Sequence, residues 1–321
     1  MRIVCDAHIP FLLEAVREAW PQVEIIPLKP EEIDALAVRD ADVLVVRTRT
    51  KVNEQLLQGS AVRLVCTATI GFDHIDAAYC ELHGIIWMSC PGCNAQAVCD
   101  YVEEAIEEIK DKGQRTKDNF VPTIGVVGVG HVGSLVAKMA ERRGMKVLLN
   151  DPPKGIGESL DFIGQNSDII TFHVPLDSTT RHMCDEVFLT KCKPGALIIN
   201  AARGGVVDEQ ALLRSGHPYV LDTWENEPEL DREILQHAQL ASMHIAGYSV
   251  EGKRNATQMC LDAIAEQFGL PKTDISGYRC NGITAKKGDS APGWLSRISE
   301  SLKADPTAFE FLRKVYPLRG E

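Results

Sequence analysis

Short apolar runs alternate along the chain with longer amphipathic segments. In the first half, the runs have the length and composition of β-strands, and between them apolar residues recur with the period of an α-helix. The predicted strands here are RIVCD, VEIIPL, DVLVVRT, RLVCTAT and IIWMS, with helices such as FLLEAVREAW and IDAAYCELHG between them. A second series begins at TIGVVG and continues through KVLLND, DIITFH, ALIIN and YVLDTW. This alternation predicts parallel α/β layers.

The two series are separated by a long helical pattern, AQAVCDYVEEAIEEIKDK, and by a polar stretch, GQRTKDN, that is typical of a linker or loop. After Tyr248 the pattern is helical again as far as AIAEQFG, and a helical pair, WLSRISESLKA and PTAFEFLRKVY, ends the chain. At 321 residues the chain is long enough for two domains that each bury a core. We therefore expect an α/β fold with two Rossmann-like, doubly wound parallel-sheet domains.

The charge balance and the cysteines argue against several classes of protein. The net charge is −11, from 34 basic and 45 acidic residues, whereas proteins that bind nucleic acid need a basic surface. No apolar run approaches bilayer length and no signal-like segment opens the chain, so we expect no membrane partner. Several of the ten cysteines lie in predicted strands and helices, and the pair Cys90 and Cys93 has no second ligand pair. We expect reduced thiols, no metal and a cytoplasmic location.

A glycine-rich turn follows the first strand of the second series. Gly128, Gly130 and Gly133 in TIGVVGVGHVG open the helical pattern SLVAKMAERRG. In a dinucleotide-binding fold such glycines permit the tight turn, let the backbone approach a pyrophosphate, and let helix and strand pack closely. The amides near His131 and Val132 are expected to face that anion at the positive end of the helix.

An acidic residue completes the dinucleotide pattern. Asp151 ends KVLLND, twenty-three residues after Gly128, and is expected to bind the adenosine ribose hydroxyls. A carboxylate there repels a 2′-phosphate, so NAD is expected rather than NADP, and Lys154 is close enough to weaken this preference without reversing it. A purely structural glycine turn is the alternative, and the acidic residue argues against it.

Three further strand ends carry polar side chains. ALIINAARGG ends in Arg203, VLDTWENEPEL contains Asp222 and Glu227, and the run QLAS leads to His244 in SMHIAGY. The carboxyl ends of strands line the ligand crevice of a doubly wound sheet. An arginine there can bind a carboxylate, a histidine can exchange a proton, and a glutamate can orient the histidine. Singly, Arg203 and Glu227 could be surface loop charges, and His244 could have a capping or core role. Together they predict a catalytic set, in which the glycine turn after His244 orients the imidazole.

Other polar residues in this half are expected to have lesser roles. Asp208 precedes EQALLRSG and is predicted to cap that helix, whereas Glu225 and Glu229 are predicted to be solvated loop acids. His173 in TFHVPL is expected to contact the cofactor rather than to act as a base. His74 in GFDHID is expected to be structural.

The order of these motifs resembles the D-isomer-specific 2-hydroxyacid dehydrogenase family, over roughly the first 265 residues. The glycine fingerprint is followed by HVPL, NAARGGVVDEQAL, DTWENEP and HIAG. The further strings VRTRTKVNEQLL, TATIGFDHID, PGCNAQAV, NDPP and HIAGYSVEGK resemble a member of that family whose substrate is a phosphorylated hydroxy acid. The resemblance implies an NAD-dependent dehydrogenase in which Arg203, Glu227 and His244 are catalytic.

The resemblance also implies a domain arrangement. Residues 1–95 are expected to form a substrate-binding domain, completed by about residues 249–268. Residues 96–248 are expected to form the NAD-binding Rossmann domain. Residues 269–321 are expected to form a shortened, small α+β dimerisation segment, so that the protein is a homodimer.

Individual ligand contacts are implied in the same way. Besides the glycines, the expected NAD contacts are His131, Val132, Asp151, Val174, Ala201, Ala202, Arg203, Asp222, Gly247 and Tyr248. The expected substrate contacts are Thr48 and Thr69. Apart from the resemblance, Arg47, Arg49 and Lys51 give the RTRTK loop enough positive charge to bind a phosphate, although a solvated strand-to-loop edge can have the same composition.

The sequence leaves two alternatives open. A dehydrogenase of 3-phosphoglycerate or of another D-2-hydroxy acid shares the same chemistry and a similar basic loop. A non-enzymatic NAD-sensing scaffold could retain the same residues, because fold alone does not determine function.

Overall fold

In the computed structural model, which describes residues 1–111, 121–278, 293–318 and 320, the chain forms two α/β units. One comprises Met1–Asn94 with the described part of Ser249–Ala285. The other comprises the described parts of Ala95–Tyr248 and Lys286–Glu321. The predicted linker GQRTKDN lies outside the described residues.

Strands and helices alternate through both units, with short 3₁₀ turns between some of them. The strands are β1 (Arg2–Asp6), β2 (Glu24–Leu28), β3 (Val43–Val46), β4 (Leu64–Thr67), β5 (Ile86–Met88), β6 (Thr123–Val127), β7 (Lys146–Asp151), β8 (Ile156–Gly157), β9 (Ile169–Phe172), β10 (Leu197–Asn200), β11 (Tyr219–Leu221) and β12 (Leu240–Ala241). The helices are α1 (Leu12–Ala19), α2 (Ala35–Val38), α3 (Glu54–Leu57), α4 (Ala77–Leu82), α5 (Ala95–Asp111), α6 (His131–Arg142), α7 (Leu160–Asn166), α8 (Glu186–Lys191), α9 (Glu209–Ser215), α10 (Arg232–His237), α11 (Val250–Phe268), α12 (Trp294–Ala304) and α13 (Phe309–Val315).

The first unit is built on a five-stranded parallel sheet in the order β2-β1-β3-β4-β5. Every residue of β3 and β4 is buried, as expected for parallel strands covered on both faces. The strand order reverses between β1 and β3, so the loops that follow these two strands lie side by side at the carboxyl edge of the sheet.

The second unit is built on a seven-stranded sheet in the order β12-β11-β10-β9-β6-β7-β8. All neighbouring pairs are parallel except β7 and β8, which pair antiparallel at one edge. The order reverses between β6 and β9. The loops after β6, β9, β10, β11 and β12 therefore share the carboxyl edge, where ligands bind in doubly wound sheets. The predicted fold class, two parallel-sheet α/β domains, is confirmed.

The C-terminal segment differs from the separate α+β segment that the sequence predicts. Its described residues up to 278 belong to the first unit, and those from 293 belong to the second. The described part of this segment contains helices and turns but no strand. Apolar side chains explain the difference, because Trp294, Leu295, Leu302 and Phe309 are buried in the core of the second unit.

No helix in the described part of the chain is long and apolar enough to cross a membrane. The nine cysteines within the described residues are buried, and none of them forms a disulfide. Among the same residues, no group of three or more His, Cys, Asp and Glu side chains is arranged to hold a metal ion.

Candidate active site

The glycine turn after β6 leaves no space for side chains at two of its three glycines. Gly128 has a φ of 90°, and a Cβ atom there would lie 2.6 Å from the carbonyl oxygen of His173. A Cβ atom at Gly133 would lie 1.9 Å from the carbonyl oxygen of Gly128. At Gly130, by contrast, a Cβ atom would meet nothing within 4 Å. The protein's own packing therefore does not require glycine at this position, which suits the approach of a ligand.

Helix α6 begins at the turn itself, three residues before the helical pattern SLVAKMAERRG suggests. Gly130 precedes it in an extended conformation, so His131 and Val132 are its first two residues. Backbone N–H groups in the first turn of a helix have no intrahelical partner and favour an anion. The turn therefore has the donors and the open space that a pyrophosphate needs.

Asp151 lies at the end of β7, directly beside the glycine turn. It is 9% exposed, and its Oδ2 accepts a hydrogen bond from the N–H of Val129 at 2.9 Å. The Nζ of Lys154 lies 3.5 Å from the same oxygen and donates to the carbonyl of Val129 at 2.7 Å. The acidic residue thus lies beside the glycine turn, where the dinucleotide fingerprint places it, with a lysine against the carboxylate.

His244 and Glu227 form a hydrogen-bonded pair. The Nδ1 atom of His244 lies 2.9 Å from Oε2 of Glu227. The other carboxylate oxygen, Oε1, accepts the N–H of Trp224 at 2.8 Å. An ionised carboxylate accepts hydrogen bonds at both oxygens, so Nδ1 carries the proton and Nε2 is left as the basic nitrogen.

The surroundings of Glu227 keep its carboxyl group ionised. Burial alone would raise the pKa of Glu227. The hydrogen bond and charge of His244, the N–H of Trp224 and the positive charge of Arg313 outweigh burial and hold this pKa below its ordinary value. Glu227 is therefore able to fix the tautomer of the imidazole and to stabilise its protonated form.

Asp222 holds the turn that carries His244. It is 1% exposed, and its Oδ1 accepts the N–H of Ile245 at 2.8 Å and the hydroxyl of Ser242 at 2.6 Å. Its Oδ2 accepts the N–H of Ala246 at 2.9 Å. His244 has a φ of 57°, and its own N–H donates to the carbonyl of Asp222 at 2.8 Å. From the sequence, the glycine turn after His244 was expected to orient the imidazole. In the structure, the Asp222 carboxylate and the left-handed backbone conformation of His244 determine how the turn is held.

Arg203 follows β10 on a loop that packs against the loop of Glu227. Its Nη1 donates to the carbonyl of Ala202 at 2.8 Å, and its own carbonyl accepts from Nδ2 of the fully buried Asn200 at 2.8 Å. A Cβ atom at Gly204 would lie 2.0 Å from the carbonyl carbon and oxygen of Trp224. The structure thus places the predicted catalytic residues on loops that contact one another.

Glu225 is not the solvated acid that the sequence predicts. Its Oε1 accepts from Nη2 of Arg181 at 3.0 Å and lies 2.7 Å from Nε2 of His182. Its N–H donates to Oε1 of Glu209 at 2.7 Å. Glu209 is 4% exposed, and burial together with the neighbouring acids Glu225, Asp231 and Glu227 raises its pKa to about 7.

Two simpler predictions about acids are confirmed. The side chain of Asp208 accepts the N–H of Ala211 and caps α9, and Glu229 is exposed. The sequence did not indicate that Glu209 is buried against Glu225. A glutamate in the first turn of a helix ordinarily indicates only a favourable interaction with the helix dipole.

The remaining predicted cofactor contacts lie on loops at the same edge of the sheet. His173 follows β9, its Nε2 lies 3.0 Å from Oγ1 of Thr171, and burial lowers its pKa to about 3, so it is neutral and unsuited to be the base. Val174, Ala201, Ala202, Gly247 and Tyr248 lie on the loops after β9, β10 and β12. Their contacts with NAD stay predictions, and so does that of Asp222.

In the first unit, Thr69 belongs to a hydrogen-bonded group after β4. Its hydroxyl donates to the carbonyl of Gly71 at 2.9 Å and lies 2.7 Å from the hydroxyl of Thr67. The Nε2 atom of His74 lies 3.0 Å from the same Thr67 hydroxyl, and burial lowers the pKa of His74. These contacts suit the structural role predicted for His74.

Arg47, also in the first unit, is held by an acid that the sequence analysis overlooked. Its Nε donates to Oδ2 of Asp6 at 2.9 Å, and Nδ1 of His8 lies 3.0 Å from Oδ1 of the same carboxylate. Asp6 is 1% exposed and ends β1, next to β3, which leads into Arg47. Thr48, Arg49 and Lys51 are exposed on the same loop. An acidic residue at the end of a strand at a topological switch point was the signal that could have revealed Asp6.

Comparisons with known proteins identify the family of the chain. The family model for the D-isomer specific 2-hydroxyacid dehydrogenase, NAD binding domain, matches residues 97–246. A Bacteroides fragilis protein named erythronate-4-phosphate dehydrogenase is 41% identical over 346 residues, which covers 100% of this chain and 97% of that protein. The chain belongs to the erythronate-4-phosphate dehydrogenase family. A relative of the same name from Ectopseudomonas mendocina is 40% identical over 364 residues and is covered to 93%. The resemblance read from the sequence motifs is thereby confirmed.

Solved structures share the fold of this family member. An NAD⁺-bound 3-phosphoglycerate dehydrogenase from Entamoeba histolytica matches with a TM-score of 0.71 and 25% identity, covering 84% of this chain and 95% of that one. A D-lactate dehydrogenase from Aquifex aeolicus, complexed with NAD and lactic acid, matches with a TM-score of 0.65 and 25% identity, covering 83% and 96%.

Proposed function

We propose that the protein catalyses the NAD-dependent oxidation of 4-phospho-D-erythronate to (R)-3-hydroxy-2-oxo-4-phosphooxybutanoate, a step in the synthesis of pyridoxal 5′-phosphate (vitamin B6). The names of the relatives support the choice of substrate. The hydrogen bond between His244 and Glu227 is the observation that carries the reaction type, because oxidation of an alcohol releases a hydroxyl proton that a base must accept.

In this proposal His244 is the general base. Its Nε2 accepts the proton of the C2 hydroxyl, because Nδ1 already donates to Glu227. NAD held at the glycine turn and beside Asp151 would supply the acceptor for the hydride of C2, and loss of that hydride with the hydroxyl proton would leave a carbonyl at C2. The Glu227 carboxylate stabilises the imidazolium that forms and holds the ring in one orientation. The released proton and the hydride account for the two hydrogens that the alcohol loses.

Arg203 is proposed to bind the C1 carboxylate and to stabilise negative charge on the C2 oxygen. A guanidinium suits both tasks, because it presents several N–H donors in a fixed planar array. The contact between Gly204 and Trp224 supports this role, since it ties the Arg203 loop to the loop of the catalytic carboxylate.

The substrate is also proposed to contact Thr48, Thr69, Arg47 and Lys51 of the first unit. Asp6 takes only Nε of Arg47, and no described contact uses either Nη group. A guanidinium held in this way by a buried carboxylate has donors left for a phosphate. Exchanging Arg47 for Ala should therefore weaken binding of the phosphorylated substrate, and unchanged binding would refute this assignment.

We also propose that the protein is a homodimer. Phe311 and Val315 are four residues apart on α13 and are 64% and 55% exposed, so they form an apolar strip on its outer face. Light scattering tests the assembly, and the Phe311→Asp variant should shift a dimer toward monomer. A monomeric wild-type protein would contradict this proposal. The described cysteines are buried and form no disulfide, which supports a reducing, cytoplasmic location that fractionation of cells would test.

The substrate is tested by following NADH absorbance with three candidates. The proposal expects 4-phospho-D-erythronate to be oxidised far faster than 3-phospho-D-glycerate or D-lactate. Faster oxidation of 3-phospho-D-glycerate would support the proposed reaction type but show that the proposed substrate is wrong. Binding of NAD without oxidation of any of the three would favour the NAD-sensing scaffold.

A further inference from the structure

The C-terminal helices are fixed to the second unit by hydrogen bonds at both ends of α12. The buried carboxylate of Glu108 accepts the N–H groups of Leu295 and Ser296, the second and third residues of this helix, at 2.9 and 2.8 Å. Near the other end, Nζ of Lys303 donates to the carbonyl of Ala238. Between them, Oγ of Ser299 accepts the N–H of Ala241 at 3.0 Å. Because Ala241 ends β12, three residues before His244, α12 is joined to the strand that leads to the proposed base.

Helix α13 presents one arginine on the side that packs against this unit. Phe309 is 1% exposed, and Leu312 and Tyr316 pack against the same core. Residues three and four apart share a face of a helix, which places Arg313 with these apolar residues, opposite the exposed Phe311. The side chain of Arg313 is nevertheless 27% exposed, so its charge is not sealed inside the protein.

Arg313 contacts the turn that carries His244. Its Nε donates to Oη of Tyr248 at 3.1 Å, and its guanidinium carbon lies 5.7 Å from the centre of the Tyr248 ring. The N–H of Tyr248 donates to the carbonyl of Ile245 at 2.9 Å, so Tyr248 belongs to the same turn as His244. The nearest acid in its own helix, Glu310, lies 3.8 Å from Nη1, beyond hydrogen-bond distance.

The charge of Arg313 also reaches the catalytic pair. It contributes to the lowered pKa of Glu227, after the larger effects of burial, His244 and the N–H of Trp224. The partly exposed guanidinium of Arg313 therefore contacts Tyr248 and acts electrostatically on Glu227. The proposed substrate carries a carboxylate and a phosphate, and a phosphate dianion commonly takes charge-assisted hydrogen bonds from more than one cation.

We propose that Arg313 is a substrate-binding residue, supplied by the C-terminal helix, whose guanidinium binds the phosphate of the substrate while its Nε is held by Tyr248. The proposal rests on the proposed function, because it requires a phosphorylated substrate. It gives the C-terminal segment a part in substrate selection, in addition to any part in assembly.

The test compares Arg313→Ala and Arg313→Lys with Lys314→Ala. Lys314 is the next residue of the same helix and is exposed, so its exchange removes one positive charge without touching Tyr248. Steady-state oxidation is measured with 4-phospho-D-erythronate and with unphosphorylated D-erythronate. If D-erythronate is not oxidised, its inhibition constant Ki against 4-phospho-D-erythronate is measured instead of its KM. Thermal melting establishes that each variant is folded, and Arg313→Lys serves if the alanine variant is not.

The expected result is a loss confined to the phosphorylated compound. Arg313→Ala should raise its KM about 10- to 100-fold, the range for a lost hydrogen bond to a charged group. The KM for NAD and the constant for D-erythronate should change less than about twofold, Arg313→Lys should be intermediate, and Lys314→Ala should match the wild type. Equal losses with both compounds, or equal behaviour of Arg313→Ala and Lys314→Ala, would overturn the inference.

Failure of the proposed function is distinguishable from failure of this inference. If the wild-type protein does not oxidise 4-phospho-D-erythronate, the proposed function is wrong. In that case the dissociation constants of the same two compounds are measured by calorimetry. A loss of affinity in Arg313→Ala that is confined to the phosphorylated compound would still support the role of Arg313. A wild-type protein that binds neither compound would overturn both proposals.

Discussion

Gly204 lies directly against the carbonyl group of Trp224, so closely that a Cβ atom would sit 2.0 Å from its carbon and oxygen. Gly204 follows Arg203, and the N–H of Trp224 binds the carboxylate of Glu227. This backbone contact fixes the distance between the two loops that carry the proposed substrate-binding arginine and the proposed acid partner of His244.

Exchanging Gly204 for Ala should therefore lower kcat, although Gly204 itself takes no part in the chemistry. The methyl group must displace the Trp224 backbone, and a shift of about 1 Å in a catalytic constellation can cost on the order of 100-fold in rate. Gly277→Ala is the matched control, because a Cβ atom there would meet nothing within 4 Å. Measured kcat values that are equal in the two variants would refute this coupling.

Exchanging Glu227 for Gln should inactivate the base by reversing a hydrogen bond. The amide oxygen of Gln can still accept the N–H of Trp224, so its NH₂ group faces Nδ1 of His244. Nδ1 then becomes an acceptor and its proton moves to Nε2, which can no longer take the substrate proton. We expect kcat to fall by at least about 100-fold, as when the carboxylate of a catalytic triad is replaced by an amide. Glu229→Gln removes an exposed acid from the same loop and should have little effect; comparable losses in both variants would contradict the assignment.

Cofactor choice should respond in opposite directions to two neighbouring exchanges. Asp151→Asn keeps a hydrogen-bond acceptor beside the glycine turn but removes the charge that repels a 2′-phosphate, so the preference for NAD over NADP should drop by about tenfold or more. Lys154→Ala removes the cation that lies 3.5 Å from this carboxylate and should strengthen the preference for NAD. The ratio of kcat/KM for the two cofactors measures both effects. A shift in the same direction in both variants would rule out the charge of Asp151 as the discriminating feature.

The raised pKa of Glu209 predicts a dependence of stability on pH. Because this pKa rises from 4.5 to about 7 on folding, the folded protein binds the proton more tightly than the unfolded chain does. The resulting stabilisation is complete below pH 4.5 and is lost as the pH rises through about 7. Glu209→Gln cannot titrate yet keeps an acceptor for the N–H of Glu225.

Chemical denaturation checks this dependence. The free energy of unfolding of Glu209→Gln, relative to wild type, should rise by about 1–3 kcal/mol between about pH 5 and about pH 8. Glu229→Gln should run parallel to wild type, since Glu229 is exposed. Parallel profiles for wild type and Glu209→Gln would show that Glu209 is not protonated at neutral pH.

Much of the fold follows from local sequence patterns. KVLLND and WLSRISESLKA coincide with β7 and α12. The first has the short apolar run of a strand, and in the second the buried residues Leu295, Ser299 and Leu302 recur with the period of a helix. Short helices such as α2 and α3 were not predicted, since one turn is too short to show a period. The two-residue strand β8 pairs antiparallel with β7, and so short a pairing has no sequence signature.

The sequence predicted which residues belong to the candidate site but not how they contact one another. Strand ends and motif spacing indicated Arg203, Glu227 and His244. Neither spacing nor residue type could reveal that Asp222 uses both carboxylate oxygens to hold the turn of His244, because that depends on how β11 and β12 pair. The approach of Arg313 to Tyr248 spans 65 residues and depends on tertiary packing alone.

His244 is proposed to remove the hydroxyl proton of 4-phospho-D-erythronate as hydride passes to NAD. The most direct test is substrate-dependent NADH formation by wild type and by His244→Ala, with NAD affinity measured in parallel. We expect rapid NADH formation by wild type and a fall in kcat of about 100- to 10,000-fold in the variant, the usual contribution of a general base, with nearly unchanged NAD binding. A His244→Ala variant that oxidises 4-phospho-D-erythronate at the wild-type rate would contradict the claim.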